Sequence, residues 1–582
     1  MRKWFVAVLL SSLVLGLATA SLGQPAPSPF DDNGTPAWDK LVDRYLLDCY
    51  FHFAPTSGTA NGLHRFDDQL EDYSRAAVDA EIKVLRQFEK EVAAFAPGKL
   101  SPVERGDREI VLGTIRARLL ELEEIRSWEK NPDGYSAPIA NSVFVIMSRD
   151  FASQEDRLRS VIAREKQMPA VFDAARANLK DPPRVYTEVA LLQIPGIVSF
   201  FQKDVPAAFS QVKDPRLLAD FRSSNDAVIA ALASYGKYLQ DDLLPRSHGD
   251  FRIGAKNFRR KLLYDEMVDM PLEKLLQVGM ADLRQNQRAF KETAARIDPN
   301  RTPQQILQDL EKDHPAPDHL LQSFRDSLGG LKSYIEEHNI ISMPSETLPI
   351  VEETPPFARA LTSASMDTPG PFEKKATESY LNVTLPEPGS PANEVEEYMA
   401  SFNRGTIIST AIHEAYPGHY TQFLWTPRAP TTVRKLLGAG TNVEGWAHYT
   451  EQMMLDQGYG NGDLKLKLGQ LQDALLRNAR YIVGIRMHTG TMTFDEGVAF
   501  FEKEGFQPHP NALKETRRGT SDPTYLVYTL GKLQILKLRE DYKKKMGSKF
   551  TLQDFHDRFM GQGFPPVKII REAMIGDGSP VL

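Results

Sequence analysis

Residues 406–419 read TIISTAIHEAYPGH, a helical run that has to break before its last histidine. The apolar pattern from Thr406 to Ile412 ends on the pair His413-Glu414. In a zinc hydrolase helix such a pair has a defined use, because the histidine binds Zn²⁺ and the adjacent glutamate faces the bound water as general base. We therefore predict a helix that carries a metal ligand at His413 and a catalytic base at Glu414.

The second histidine of this stretch has an unusual spacing. His419 lies six positions after His413, so in an unbroken helix it would be displaced by about 120° around the axis and about 9 Å along it. Pro417-Gly418 stands between the two histidines, and proline removes a helical hydrogen bond while glycine permits unusual backbone angles. The sequence predicts a helix break that lets His419 turn back to the metal.

A third ligand is expected from a second helix, within the run NVEGWAHYTE at residues 442–451. Glu444 lies 25 residues after His419 and is the best candidate. Glu444, His448 and Glu451 share one helical face, so this face can also supply hydrogen-bond partners for the ligand histidines. His448 is the rival ligand.

The metal is expected to be a single Zn²⁺ ion, although Mn²⁺ or Co²⁺ also suits a site of histidine and carboxylate ligands. Cys49 is the only cysteine of the 582 residues, which excludes an internal disulfide and a site with several thiolate ligands.

The motif HEAYPGH, followed by EGWA at residues 444–447, resembles the bacterial domain-of-unknown-function family 885, whose members are predicted metallopeptidases. The segments at residues 59–63 and 70–74 also resemble stretches of that family, and the likeness covers nearly the whole mature chain. The arrangement is more loosely similar to thimet oligopeptidase, angiotensin-converting enzyme and the Taq-type carboxypeptidases. This similarity implies a mainly α-helical zincin-like fold with a deep cleft and a small β-element near the active site.

Two further residues are candidates through the same resemblance. His488 ends a helical stretch similar to one in the family, where Gly484 replaces the usual Asp, and it is expected either to contact the substrate or to be structural. Tyr528 belongs to a Tyr-x-x-Gly pattern, and its hydroxyl suits an oxyanion donor. Tyr525, one turn earlier, is the alternative, and either tyrosine could instead be a core residue.

The chain divides by composition into four parts after the leader. Between Pro344 and Pro391 there are nine prolines, which exclude a long helix. The predicted parts are a flexible segment at 21–37, a helical half at 38–340, a proline-rich segment with short strands at 341–393, and a catalytic helical half at 394–582.

Two strands are predicted in the proline-rich segment, at Leu348–Glu353 and Ser379–Leu385. Residues 380–385 are expected to line the cleft, because proteins often hold a peptide backbone along an edge strand. The alternative is a short structural hairpin.

The N-terminus resembles a secretory signal peptide. Arg2 and Lys3 precede an apolar run at residues 4–17 and the small residues 18–20. Residues 1–20 are predicted to be a cleaved signal peptide, without a cysteine after the cleavage site to accept a lipid and without a stable membrane anchor. Their removal takes Arg2 and Lys3 and changes the formal net charge from −7 to −9, a balance that disfavours nucleic acid as a partner.

Together these features predict a periplasmic or secreted zinc metallopeptidase that hydrolyses short peptides. Two other functions remain open at this stage. The same site could hydrolyse an ester or a non-peptide amide, or it could belong to an inactive binding protein that contains a metal. The sequence does not indicate exopeptidase or endopeptidase action, side-chain preference or oligomeric state.

Overall fold

The computed structural model describes residues 28–30, 34–359, 362–576 and 578–582. Within these ranges the chain is mainly helical with one small sheet, which confirms the predicted fold class. The predicted signal peptide lies outside the described residues, and so do residues 21–27 and 31–33 of the predicted flexible segment. None of the described helices is long and apolar enough to cross a membrane.

Fifteen α-helices precede the sheet in the described chain. Several begin at a serine, threonine or aspartate whose side chain accepts a backbone N–H of the first turn, as Ser74 and Ser101 do. They are α1 Pro36–Tyr45, α2 Phe51–Phe53, α3 Pro55–Ala60, α4 Arg75–Ala94, α5 Pro102–Leu120, α6 Asp133–Met147, α7 Gln154–Glu165, α8 Met168–Asn178, α9 Arg184–Ser199, α10 Val205–Ala208, α11 Pro215–Tyr238, α12 Gly254–Glu266, α13 Leu272–Ile297, α14 Pro303–Leu310 and α15 Leu320–Glu337.

The sheet lies in the proline-rich segment and has the strand order β1-β3-β2. Its strands are β1 Ile350–Glu353, β2 Ala364–Asp367 and β3 Tyr380–Val383. β3 pairs with β1 in parallel and with β2 in antiparallel orientation, with Met366 opposite Leu381. Both predicted strands are present, but the second is the central strand and cannot offer a free edge. The two edge strands are β1 and β2, and β2 was not predicted.

Eleven α-helices follow the sheet in the described chain. They are α16 Ala392–Ala400, α17 Arg404–Glu414, α18 His419–Trp425, α19 Thr432–Leu436, α20 Gly440–Asp456, α21 Leu464–His488, α22 Phe494–Lys503, α23 His509–Ser521, α24 Val527–Met546, α25 Leu552–Met560 and α26 Val567–Ile575. Helix α17 packs against both α20 and α21.

Four of these helices, α17, α20, α21 and α24, approach one another closely at glycines. A Cβ added to Gly531 of α24 would lie 2.0 Å from the carbonyl oxygen of Thr441 in α20, and one added to Gly469 of α21 would lie 2.7 Å from the carbonyl carbon of Gly405 in α17. Only glycine allows such an approach. The backbones of α20 and α24, and those of α17 and α21, therefore lie in direct contact.

The hydrophobic cores are shared between distant parts of the chain. One core joins Phe258, Leu275 and Phe290 of the N-terminal half to Leu475 and Leu530 of the C-terminal half. A second core joins α15, β1 and β3 to helices α17, α20 and α24. Helices of the C-terminal half therefore share their cores with the N-terminal half.

Candidate metal centre

The helix that carries His413 ends where the sequence requires it to end. The Asn403 side chain accepts the N–H groups of Gly405 and Thr406, and α17 then continues to Glu414. Helix α18 starts at His419, and the intervening Tyr416–Pro417 peptide bond is cis. The predicted break between the two histidines is present.

Gly418 has backbone angles outside the helical and extended regions, as the predicted break requires, with a φ of −71° and a ψ of −133°. A Cβ at this position would also lie 1.8 Å from the carbonyl oxygen of His413. The Trp446 indole N–H of α20 donates to the Pro417 carbonyl at 2.8 Å and holds the turn against the next helix.

His413, His419 and Glu444 meet in one cluster, with one potential ligand atom from each lying within 4.8 Å of the others. The Nε2 atoms of both histidines are 3.4 Å from Glu444 Oε2. The two imidazole rings are 4.9 Å apart and nearly perpendicular, at 86°. Three donors from three different helices thus converge on one point.

The cluster fits a divalent cation in its chemistry. Glu444 Oε2 is buried 3.4 Å from both histidines and has no hydrogen-bond partner among the described residues. Burial opposes a charged imidazole, but the carboxylates of Glu444 and Glu451 prevail and raise the pKa of His413 to about 9. Binding of a metal would displace that proton. Two histidines and one glutamate form a usual ligand set for catalytic Zn²⁺.

Glu451 contacts His413 on the ring nitrogen that faces away from Glu444. Its Oε1 lies 2.7 Å from His413 Nδ1 and 3.0 Å from Arg477 Nη2, while its Oε2 lies 3.1 Å from His448 Nδ1. Burial would raise the pKa of Glu451, but Arg477 and His448 hold it well below its usual range. A carboxylate on Nδ1 leaves Nε2 of His413 for the metal.

His448, the alternative ligand in the sequence, is not one of the three clustered residues. It is buried against Glu451, outside the three-residue cluster, and burial lowers its pKa to about 4. The structure brings together the first set of predicted ligands and leaves His448 behind them.

Glu414 stands next to His413 and is half-buried. Burial raises its pKa, against the lowering effect of His413 and His419. Its carboxylate is absent from the cluster of three ligand atoms in the described chain. It therefore lies next to the potential ligands without being one of them.

Tyr528 lies beside the cluster, in the first turn of α24. Its ring is nearly parallel to that of His413, with centroids 6.2 Å apart, and its hydroxyl accepts a hydrogen bond from Arg518 Nη2 at 3.1 Å. Burial and Glu444 raise the pKa of Tyr528 to about 12, so the hydroxyl keeps its proton at neutral pH. The arrangement leaves Tyr528 able to donate a hydrogen bond near the three potential ligand residues.

Tyr525 is placed in the core. A Cβ on Gly484 would lie 2.8 Å from its ring, and one on Gly519 would lie 2.2 Å from its hydroxyl oxygen. That hydroxyl is buried and has no hydrogen-bond partner among the described residues. The lack of a side chain at Gly484 thus makes room for Tyr525.

His488 is remote from the cluster. It ends α21, eleven residues after Arg477, a rise of about 16 Å along the helix. Its Nε2 donates to the Gly519 carbonyl at 2.7 Å, and burial lowers its pKa to about 4. Phe251 and Phe258 flank the ring. The structure does not bring His488 to the predicted catalytic residues.

The basic residues around Tyr528 were missed as site residues. The side-chain carbons Cζ of Arg480, Arg518 and Arg477 lie 4.9, 5.8 and 6.0 Å from the centre of its ring. The sequence does contain a signal for them, because Arg477 and Arg480 lie among apolar residues of the long helix α21 and a buried cation requires a partner.

A cleft of about 670 Å³ opens beside the cluster. Phe423, whose ring is 6.1 Å from that of His419, and Val443, the neighbour of Glu444, are among its lining residues. Met366 and Asp367 of the edge strand β2 also line it, and β2 packs against α17. An edge strand of the sheet thus lies against the helix that carries His413.

The family-like segment at residues 59–63 builds another wall of this cleft. The N–H of Phe372 donates to the Asn61 carbonyl at 3.1 Å, and a Cβ on Gly370 would lie 2.3 Å from Asn61 Cα. Gly62 has a φ of +84° in this tight contact. The segment holds the loop after β2 in position.

Two solved structures are similar to the whole chain. A candidate lipoprotein of unknown function from Shewanella oneidensis has 28% sequence identity and a TM-score of 0.76, over 92% of this chain and 99% of that one. A candidate lipoprotein from Colwellia psychrerythraea has 17% identity and a TM-score of 0.78, over 92% of this chain and 98% of that one. The second likeness shows the fold alone. No curated protein sequence matches the chain.

A family match covers most of the sequence, including all three potential ligands. Residues 55–574 match DUF885, described as a bacterial protein of unknown function. The predicted family resemblance is confirmed by this match. The chain belongs to the DUF885 family.

Proposed function

We propose that this protein is an exported, zinc-dependent metallopeptidase. The observation that carries the proposal is the convergence of His413, His419 and Glu444 on one point, with Glu414 beside them and outside the ligand set. A structural metal site would have no use for such a carboxylate.

The chemistry divides among a few side chains. His413, His419 and Glu444 would hold Zn²⁺, which when bound supplies a Lewis acid for the scissile carbonyl and an acidified water. Glu414 accepts a proton from the attacking water and passes it to the leaving amine. The Tyr528 hydroxyl donates a hydrogen bond to the oxygen that gains charge.

A peptide is favoured over a small ester by the free edge of β2. An extended peptide can add to such an edge through backbone hydrogen bonds, which a small ester cannot do. Helix α17 lies against this strand, so a peptide along β2 would pass close to the metal residues. The cleft of about 670 Å³ is suited to a short peptide.

Export is supported by the sequence of residues 1–20 and by the description of the Shewanella protein as a candidate lipoprotein. The only cysteine of this chain, Cys49, is buried in the core of the N-terminal half. We therefore favour release in soluble form over lipid attachment at that residue.

Glu414→Gln tests the proposal. The variant should keep one equivalent of metal, measured by elemental analysis, while hydrolysis of a peptide library falls by about 100-fold or more, since general base catalysis contributes at least that much. Glu444→Gln is the matched control and should lose the metal as well. A Glu414→Gln variant as active as the wild type would contradict the assignment. Hydrolysis of esters without hydrolysis of any peptide would overturn the substrate class.

A further inference from the structure

Two arginines, Arg480 and Arg518, stand over the ring of Tyr528, and Lys514 lies one turn before Arg518 on the same helix. Arg480 belongs to α21, whereas Lys514 and Arg518 belong to α23, and we call the three the cationic wall. We propose that the cationic wall binds the C-terminal carboxylate of the substrate, so that the enzyme removes one to three residues from the carboxyl end of a peptide. The inference rests on the proposed peptidase function and names its substrate class.

The wall lies close to the metal residues. Arg518 donates to the Tyr528 hydroxyl at 3.1 Å, and the Tyr528 ring is 6.2 Å from that of His413. One tyrosine side chain thus separates Arg518 from a metal ligand. The distance across this tyrosine, from Arg518 to His413, corresponds to about two or three residues of extended chain, since each residue spans at most about 3.6 Å. A carboxylate on the wall would place the scissile bond near the end of the peptide.

The cationic wall has one more positive charge than the carboxylates that contact it can neutralise. Arg480 binds Glu515 with two hydrogen bonds of 2.6 and 2.8 Å, and this buried pair is neutral as a unit. Arg518 makes one contact with Asp522, at 3.3 Å, through Nη2. Lys514 donates to the Ser363 hydroxyl at 3.3 Å and has no carboxylate within ion-pair distance in the described chain. One substrate carboxylate would balance this surplus.

Arg518 also retains donors for a ligand. Both of its hydrogen bonds, to Tyr528 and Asp522, use Nη2. Its Nε and Nη1 have no acceptor among the described residues, and 30% of the side chain is exposed. A guanidinium with free donors next to an ammonium is suited to a carboxylate.

The direction of the edge strand agrees with this assignment. Ser363, the partner of Lys514, directly precedes β2. A peptide that pairs with β2 in antiparallel orientation runs from Asp367 towards Ala364, so its carboxyl end points to Ser363 and Lys514. The amino-terminal part of the peptide then lies along the cleft of about 670 Å³, which Met366 and Asp367 line. A parallel peptide would instead bring its amino group to the lysine.

Peptides with and without a terminal carboxylate test the proposal. A set of synthetic heptapeptides is prepared both as free acids and as C-terminal amides, and the zinc-loaded wild type, Lys514→Met and Lys503→Met are compared. Lys503 is exposed at the end of the neighbouring helix α22, so it is a matched control for loss of a lysine. Products are identified by mass spectrometry, and kcat/KM is measured for each pair.

The wild type should prefer free acids by about 10- to 100-fold, the range expected for a hydrogen bond between charged groups, and should release one to three C-terminal residues. Lys514→Met should lose most of this preference by slowing cleavage of the acids alone, with metal content unchanged, while Lys503→Met should behave as wild type. Equal cleavage of acids and amides by the wild type would overturn the carboxylate site and leave the peptidase function intact. Cleavage of neither form by metal-loaded protein would overturn both.

Discussion

His413 and His488 are both buried, on helices α17 and α21 that pack together, yet their environments are opposite. His413 faces Glu444 and Glu451, and its pKa is raised to about 9. His488 donates to a backbone carbonyl between two phenylalanines, and burial lowers its pKa to about 4. Burial alone therefore does not mark a functional histidine, because the groups on its two ring nitrogens decide its role.

The largest expected difference lies in metal binding. His413→Ala removes one of three ligands and should abolish both stoichiometric zinc and peptide hydrolysis. His488→Gln should keep both, because the hydrogen bond of His488 in the described part of the chain goes to the Gly519 carbonyl and not to the cluster. Elemental analysis and activity of the two purified variants check this contrast. Loss of zinc in His488→Gln, with the fold retained by circular dichroism, would contradict the separation of the two sites.

The sequence predicted one of these two environments better than the other. The helical pattern and the Pro417-Gly418 break were sufficient to bring His413 and His419 together, because both follow from local helix geometry. His488 was a weaker candidate because its position depends on how far α21 runs past Arg477 before it ends. A family likeness at His488 carried no information on the direction of its side chain.

Features that depend on packing between distant helices were harder to predict. The choice of Glu444 over His448 depends on the rotation of α20 against α17, which spacing within one helix cannot give. Strand β2 has no alternating pattern, since all four of its residues are half-buried. The cationic wall is assembled from helices α21 and α23, and how these two helices pack cannot be read from the spacing of residues within either one. Such features require the tertiary structure.

A second contrast concerns the two tyrosines of the same segment. Tyr528→Phe removes a hydroxyl beside the metal residues and should reduce kcat by about 10²- to 10³-fold, the usual cost of losing one oxyanion donor. Tyr525→Phe removes a buried hydroxyl that has no partner, so activity should be unchanged and stability unchanged or slightly raised. Steady-state kinetics and thermal unfolding decide between the assignments. A larger loss in Tyr525→Phe would exchange the roles of the two residues.

The support behind His413 should have a smaller effect than the ligand itself. Glu451→Gln keeps an oxygen that can accept from His413 Nδ1 but removes the charge that Arg477 and His448 share. Zinc affinity, measured by competition with a chelator, should fall by about 10- to 100-fold. Glu515→Gln is a control of the same type, because Glu515 is also a buried partner of an arginine, Arg480. Equal zinc affinity in Glu451→Gln and wild type would mean that Glu451 only balances Arg477.

The smallest effect is confined to stability and to acid pH. His488 has a pKa of about 4 in the folded chain and about 6.5 when unfolded, so between these values the unfolded chain binds more protons and the folded state loses stability as the pH falls. The loss amounts to at most about 3 kcal/mol at pH 4. His488→Gln, which can still donate to Gly519 but does not titrate, should remove this part of the pH dependence. Urea unfolding of both proteins with a chelator present, from pH 7 to pH 4, measures the difference without any contribution from bound metal. If the difference in unfolding free energy between the two proteins stays constant with pH, His488 does not titrate as its burial requires, and its contrast with His413 would then rest on metal binding alone.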